Sequence, residues 1–369
     1  MKRIVTLILA LIMIFALAAC GDKGGKGEGT TKAGGKDTTS PAASDTGIKF
    51  KQVVDEFALD ADGHVWKIST VDEPAMISDE KFDSINGGNG MYAALTSDGA
   101  LWTWGNYPGN GSADKSEAPV KVLDGVKCVS VHSSNGFAIL TDGSLYQWGY
   151  GNNFKKLRLD GDDKTDILTP TKVEYDAKFE KIYSGGNGVV AIDTDGNRYC
   201  WCGTNQIMGY SATQIDPGNT DDMIVNPFWL KPVQNDTAPK GDYYFGQSST
   251  YIVDSNNTLY ISGGKGSRLA PFDTEPSWKT FTKVRDNVVK VLYDTNGSLI
   301  VGADGTLWGW GSEHFGLCDA SDTPVQITKD IKFVDASLYG YQACLAIDDA
   351  GHLYTFSASD KTPKLVEVK

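Results

Sequence analysis

The sequence predicts an all-β protein, a seven-bladed β-propeller of four-stranded antiparallel blades, and three observations carry that prediction. A turn with a short apolar stretch on each side recurs seven times. Aromatic residues recur at fixed offsets from the turn, and further strand-like segments precede and follow each copy. Self-similarity at intervals of a few tens of residues is the signature of repeat folds, in which each unit buries its faces only against its neighbours.

The chain opens with Lys2 and Arg3, an apolar run from Ile4 to Leu17, and then Leu17-Ala18-Ala19-Cys20. A charged start, a run shorter than the roughly 20 apolar residues that span a bilayer, and small residues at its end predict an export signal over residues 1–19. The tetrapeptide is similar to the lipobox of bacterial lipoproteins, which implies cleavage before Cys20 and a diacylglycerol on its thiol. Two acyl chains hold a protein stably on a membrane, so the resemblance implies a lipid-anchored protein on the extracytoplasmic side of the cell membrane. Residues 20–47 are mostly Gly, Lys, Thr, Ser and Ala, with Pro41 and no aromatic residue. Such a composition buries too little apolar surface to order a chain, and it predicts a disordered tether.

The propeller is predicted over 48–369, with repeats at about 48–81, 82–125, 126–178, 179–239, 240–287, 288–330 and 331–369. Two clear copies are Ala94-Leu95-Thr96-Ser97-Asp98-Gly99-Ala100-Leu101-Trp102-Thr103-Trp104-Gly105 and Ala138-Ile139-Leu140-Thr141-Asp142-Gly143-Ser144-Leu145-Tyr146-Gln147-Trp148-Gly149. The other turns centre on Gly63, Gly196, Asn257, Gly305 and Gly351. Asp-Gly or Asn-Asn supplies the positive φ of a tight two-residue turn, and the flanks read as strands. Five residues before the turn centre stand Ala58, Ala94, Ala138, Ala191, Ile252, Ile300 and Ala346. These mostly small residues predict crowding near a central axis.

Two residues after the centre come Val65, Leu101, Leu145, Arg198, Leu259, Leu307 and Leu353, and the next residue is aromatic in every copy. Five residues after the centre come Ile68, Trp104, Trp148, Trp201, Ser262, Trp310 and Phe356. Large rings at fixed strand positions fill the wedge between neighbouring blades. Segments such as Phe82-Asp83-Ser84-Ile85 supply a strand before each hairpin, and segments such as Pro119-Val120-Lys121-Val122 supply one after it.

The pattern small-Leu-x-x-Asp-Gly-x-Leu-aromatic-x-Trp-Gly, followed by a glycine-rich loop and a Pro-Val strand, resembles the repeat of the regulator of chromosome condensation family. The resemblance covers about Ile48 to Lys369 and implies the seven-bladed fold. It departs from the family at Met91, Asn135 and Gly188, where a His is usual, and its Gly-Gln-Leu-Gly loop is only echoed in Met208-Gly209 and Gly316-Leu317. The family includes exchange factors for a nuclear GTPase and a secreted bacterial propeller that inhibits β-lactamases.

The net charge of −13, from 34 Lys and Arg against 47 Asp and Glu, argues against nucleic acid as a partner, because phosphate binding rests on Lys and Arg. Beside Cys20 the chain holds Cys128, Cys200, Cys202, Cys318 and Cys344. Their spacing matches no zinc site, and buried free thiols with at most one disulfide are expected. Asp60-Ala61-Asp62-Gly63 and Asp193-Thr194-Asp195-Gly196 read as hairpin turns and not as calcium loops, since no later acidic ligand follows. No nucleophile-base pair or phosphate loop is apparent.

The expectation is therefore a binding protein, not an enzyme, with no cofactor, metal or catalytic residue, acting as a monomer. Its partner is expected to be a protein or a cell-wall component met by loops on one propeller face. Tyr107, Tyr150, Met208, Tyr210, Phe228, Trp229 and Phe315 are the candidate contacts, since aromatic and Met side chains suit a binding rim. Cell-wall glycan binding is the alternative, and a glycan hydrolase or lyase acting through channel carboxylates comes behind it.

Overall fold

The computed structural model describes residues 47–69, 72–151, 165–185, 188–202, 209–210, 214, 231–233, 235–246, 249–263, 277, 279–294, 297–311, 321–339, 343–357 and 360–368. Cys20, Met208, Phe228, Trp229 and Phe315 lie outside the described residues. The rest form seven sheets, each of four consecutive antiparallel strands in sequence order. The first strands of blades 1 to 7 are Phe50–Val54, Ser84–Gly88, Val126–His132, Phe179–Gly185, Gly241–Phe245, Val288–Asp294 and Phe333–Tyr339. Each first strand lies against the first strands of both neighbouring blades, and that of blade 1 against that of blade 7, so the ring is closed.

The recurring turn is one residue longer than the sequence pattern suggests. In blade 1, Gly63 N donates to Asp60 O at 3.2 Å and Asp60 N to His64 O at 2.9 Å, and the same two bonds recur in the other six copies. Only the third loop residue has positive φ, 97° at Gly63, 83° at Gly143 and 60° at Asn257. This is a three-residue loop ending in a left-handed bulge, the next commonest hairpin after the two-residue turns. The residue before the glycine keeps negative φ, so Asp serves there as well as Asn.

Those turns also join the blades. At or just before the first strands, Phe50, Phe82, Val126, Phe179, Val288 and Phe333 each donate N–H at 2.8–2.9 Å to the turn residue of the preceding blade, Gly351, Gly63, Gly99, Gly143, Asn257 and Gly305 respectively. Phe50 makes this bond to the last copy, so the ring closes with the same contact that joins five of its six interior seams.

Neighbouring first strands share no ladder, and their free backbone groups need partners. Polar side chains provide them. Gln52 accepts from Ile85 N at 2.9 Å and donates to Ile85 O at 2.7 Å, Asn86 accepts from Val131 N, and Ser130 accepts from Ser184 N. At the closing seam Asp335 accepts from Val53 N at 2.9 Å and Ser337 from Asp55 N at 2.7 Å.

The core lies between blades. Trp104 packs on Phe57 and Leu59 of blade 1, Trp148 on Met91, Ala93 and Leu101 of blade 2, and Trp201 on Phe137 and Leu145 of blade 3. Each indole thus faces the preceding blade, and each Leu two residues after a turn centre faces the next one. The small residues Ala58, Ala94, Ala138 and Ala191 are buried in these same clusters on second strands. The crowding they relieve is between blade faces, one strand out from the axis, and not at the axis itself, which the first strands line.

Candidate functional site

Antiparallel order puts the tips between first and second strands at the same end as the loops between third and fourth strands. The three-residue turns lie at the opposite end. On the loop end, blades 1 to 3 carry a continuous set of described polar and aromatic side chains.

At the outer rim, Tyr107 of the blade 2 loop and Tyr150 of the blade 3 loop bring their rings to 5.4 Å between centroids, tilted by 40°. Both are half-buried. Tyr107 has φ 47°, a left-handed conformation that an ordinary side chain adopts only under surrounding constraint. The constraint is visible on both sides of it. Asn106 N donates to Gly90 O at 2.8 Å, Gly111 N donates to Leu168 O of blade 3 at 2.8 Å, and Thr103 Oγ1 donates to Pro108 O. Burial, followed by the Asp166 carboxylate to which its hydroxyl donates, raises the Tyr107 pKa above the usual range. Asp166 also accepts from Gly151 N at 2.8 Å, and Tyr150 N donates to Ser134 O at 2.9 Å.

Toward the channel stand the tips Asp55, Asn89 and Ser133, all left-handed at φ 47°, 54° and 61°. Asn89 Nδ2 lies 3.1 Å from Nε2 of His132. Burial pulls the His132 pKa down to about 4, so the ring is a neutral acceptor at physiological pH. Asp55 accepts from Asn89 N and from the Tyr92 hydroxyl, each at 3.1 Å, and that hydroxyl is also 3.0 Å from Glu56. Burial, with Glu56 next in effect, raises Asp55 to about 6.

The carboxylates named in the sequence as turn residues have structural roles. Asp60 accepts from His64 N at 2.8 Å and from Trp66 Nε1 at 2.8 Å, and Asp193 accepts from Asn197 N at 2.7 Å. Burial pushes the Cys128 thiol up and that of Cys344 to about 12, which removes both as thiolate nucleophiles near neutrality. Among the described residues no group of three or more His, Cys, Asp and Glu could hold a metal.

Of the predicted contacts, the structure brings together Tyr107 and Tyr150. Tyr210 is a correction: it is 1 % exposed and packs among Val190, Cys200, Val233, Tyr243 and Ile252, in the seam between blades 4 and 5. A ring enclosed on all sides contributes packing and no rim surface. Asp55, Asn89, His132 and Asp166 were not foreseen. Asn89-Gly90 was the available signal, as a turn pair between two strand-like segments, whereas Asp166 comes to the rim only through folding of its loop.

The chain is thus a closed ring of seven four-stranded repeats, with Tyr107, Tyr150, Asp166, Asp55, Asn89 and His132 at the loop end of blades 1 to 3. No family model matches the chain. Over 291 residues it is 30 % identical to the mitochondrial RCC1 domain-containing protein RUG3 of Arabidopsis thaliana, covering 72 % of this chain and 62 % of that one. It is 25 % identical to the Xenopus laevis regulator of chromosome condensation over 258 residues, 63 % of this chain and 59 % of that one. The chain thus spans about three fifths of these relatives. It spans 3 % of human HERC2, an E3 ubiquitin-protein ligase, to which 140 residues are 32 % identical. Among solved structures, Prp20p of Saccharomyces cerevisiae superposes with a TM-score of 0.58 at 17 % identity, covering 87 % of this chain and 88 % of that one. Human WBSCR16 superposes at 0.56 with 13 % identity over 80 % and 84 %. Together the similarity in sequence and the shared seven-bladed fold support the regulator of chromosome condensation repeat family for this chain.

Proposed function

We propose that this protein is a membrane-tethered interaction module on the extracytoplasmic side, which presents the loop face of its propeller to a protein partner. The observation that carries the reading is the rim of blades 2 and 3, where Tyr107, Tyr150 and Asp166 form a fixed aromatic and acidic patch. Rigid tyrosines beside polar side chains are the material of protein-binding surfaces. Use of the fold for protein capture has support among its neighbours, since the Prp20p structure concerns binding to Gsp1p and histones and another holds Prp20 bound to Kap60.

Catalysis is the weaker reading. Asp55 is engaged by a backbone N–H and a tyrosine hydroxyl, and His132 by an amide, so neither is poised toward an open reacting centre. The tether is proposed from the sequence: lipid on Cys20 anchors the chain and residues 20–47 lift the propeller from the bilayer.

The test is capture from envelope extracts by the full chain and by Tyr107→Ala/Tyr150→Ala. A protein held by the first and lost by the second, with both melting within about 0.5 kcal/mol of each other as surface changes do, is the expected result. Capture unaffected by the double change refutes the rim. Binding to purified peptidoglycan instead of protein transfers the patch to glycan recognition. Cys20→Ala is expected to release the protein from membranes and remove the lipid mass, and unchanged retention refutes the anchor.

A further inference from the structure

The seam between blades 4 and 5 departs from the other six at two repeat positions at once. Toward the next blade the others present Val65, Leu101, Leu145, Leu259, Leu307 or Leu353, whereas blade 4 presents Arg198. Toward the preceding blade the others present a large ring or Ile68, whereas blade 5 presents Ser262. Arg198 is 3 % exposed and Ser262 fully buried, its hydroxyl bonded to Ser277 O. The register confirms the facing. Ser262 shares its strand face with Tyr260, which packs on this seam, while Ile261 between them packs on the next.

A serine where an indole is due leaves a wedge that close-packed interiors do not leave empty. The large ring in this seam comes from outside the strands. Tyr210 belongs to the long insertion of the fourth copy, yet it sits between Val190, Cys200 and Val233 of blade 4 and Tyr243 and Ile252 of blade 5. The chain reaches this position through Gly209, at φ 68°, where a Cβ would come within 2.4 Å of the Phe281 ring. Arg198 lies with its Cζ 5.9 Å from the Tyr210 ring and 5.7 Å from Phe281. Its Nε and Nη2 each donate at 2.6 Å to the two oxygens of Asp236, just past the end of the insertion.

We propose that Tyr210 is a plug that supplies the wedge residue missing from blade 5, and that Arg198, with Asp236 and Phe281, is a positioning residue that fixes the root of the fourth-copy insertion. The inference goes beyond the binding reading, since it concerns how the insertion is held whatever it contacts. The insertion leaves from a root sealed in the core and returns at Lys231–Pro232, which pairs with Tyr199 and Cys200.

The experiment uses the full chain with Tyr210→Ala, Ser262→Trp and both together. It reads the thermal midpoint and the rate at which thermolysin cleaves within residues 204–230 under native conditions. Tyr210→Ala is expected to lower the midpoint and speed cleavage at least about tenfold, the change that freeing a root worth a buried side chain allows. The double variant is expected to regain most of the midpoint while cleavage stays fast, because an indole at 262 fills the wedge without holding the insertion. A double variant no more stable than Tyr210→Ala, or cleavage unchanged in Tyr210→Ala, overturns the proposal. Should Tyr210→Ala fail to fold, Ser262→Trp alone decides. Faster cleavage at a near-normal midpoint supports displacement of the plug, and unchanged cleavage refutes it.

Discussion

The seam between blades 2 and 3 and the seam between blades 4 and 5 use the same repeat positions and reach the same closed packing by different means. In the first, Trp148 fills the wedge from within the repeat, against Leu101, and the loop leaving blade 2 only grazes it, with Gly109 at the indole edge. In the second, the repeat supplies Arg198 and Ser262, and the loop leaving blade 4 enters the seam with Tyr210. The difference teaches that the ring constrains the volume and closure of each wedge, and not the residue that fills it. It also explains why two loop tyrosines of similar appearance have different fates. Tyr107 leaves a seam already filled and is free for the rim, whereas Tyr210 leaves one that lacks its ring.

The sharpest way to break this comparison is to empty both wedges at the repeat position. Trp148→Ala is expected to destabilise by about 3–5 kcal/mol, as truncation of a fully buried indole does. Ser262→Ala removes one hydroxyl bonded to a backbone carbonyl and is expected to cost no more than about 1.5 kcal/mol. Urea midpoints of the two variants measure the contrast. Equal losses would mean that Ser262 bears a wedge load and that Tyr210 does not replace it.

The comparison also marks how far the sequence could be read. Blade number, strand count and the inter-blade aromatic positions follow from registered copies, because the repeat encodes packing directly. Arg198 and Ser262 were visible as departures in that register. Their compensation was not, because Tyr210 reaches the seam through an insertion with no periodicity, and nothing local distinguishes a plug from a rim residue. Ring closure was hidden for a similar reason: it depends on Phe50 meeting Gly351 and Val53 meeting Asp335, contacts between opposite ends of the chain. The rim was half legible, through Tyr107 and Tyr150, since aromatic residues in loops stand out. Asn89 was marked by its Asn-Gly pair, whereas His132 and Asp166 took their places only from tertiary structure.

A second change separates the seams by charge. Asp236→Ala leaves Arg198 buried without its bidentate partner, and removal of one member of such a pair costs about 3 kcal/mol or more. Arg198→Leu/Asp236→Ala is expected to recover most of that loss, since Leu at this position already packs the seam between blades 2 and 3. Chemical denaturation of the single and double variants checks it. A double variant as unstable as Asp236→Ala would show that the guanidinium has a packing role on Tyr210 and Phe281 that Leu does not meet.

The smallest effects concern the loop end, where Asp55 and His132 titrate in the same range with opposite signs. Asp55 is raised from 3.8 to about 6, so folding favours its protonated form. Its contribution is complete below pH 3.8 and is lost as pH rises through 6. His132 is lowered from 6.5 to about 4, so folding favours the neutral ring. Its contribution is complete above pH 6.5 and is lost as pH falls through 4. The shifts set ceilings near 3 kcal/mol each, and since both side chains are only half-buried, about 1 kcal/mol is the expected scale. In the unaltered protein the two slopes offset one another between pH 4 and 6.5. Asp55→Asn should unmask a stability that rises with pH across that window, and His132→Gln one that falls. Asn at position 55 also suits its φ of 47°, so Asp55→Asn should be more stable than the unaltered protein at pH 7. Urea midpoints at half-unit steps from pH 4 to 7 measure both slopes, and two variants with parallel profiles would show that neither group carries the linkage assigned to it.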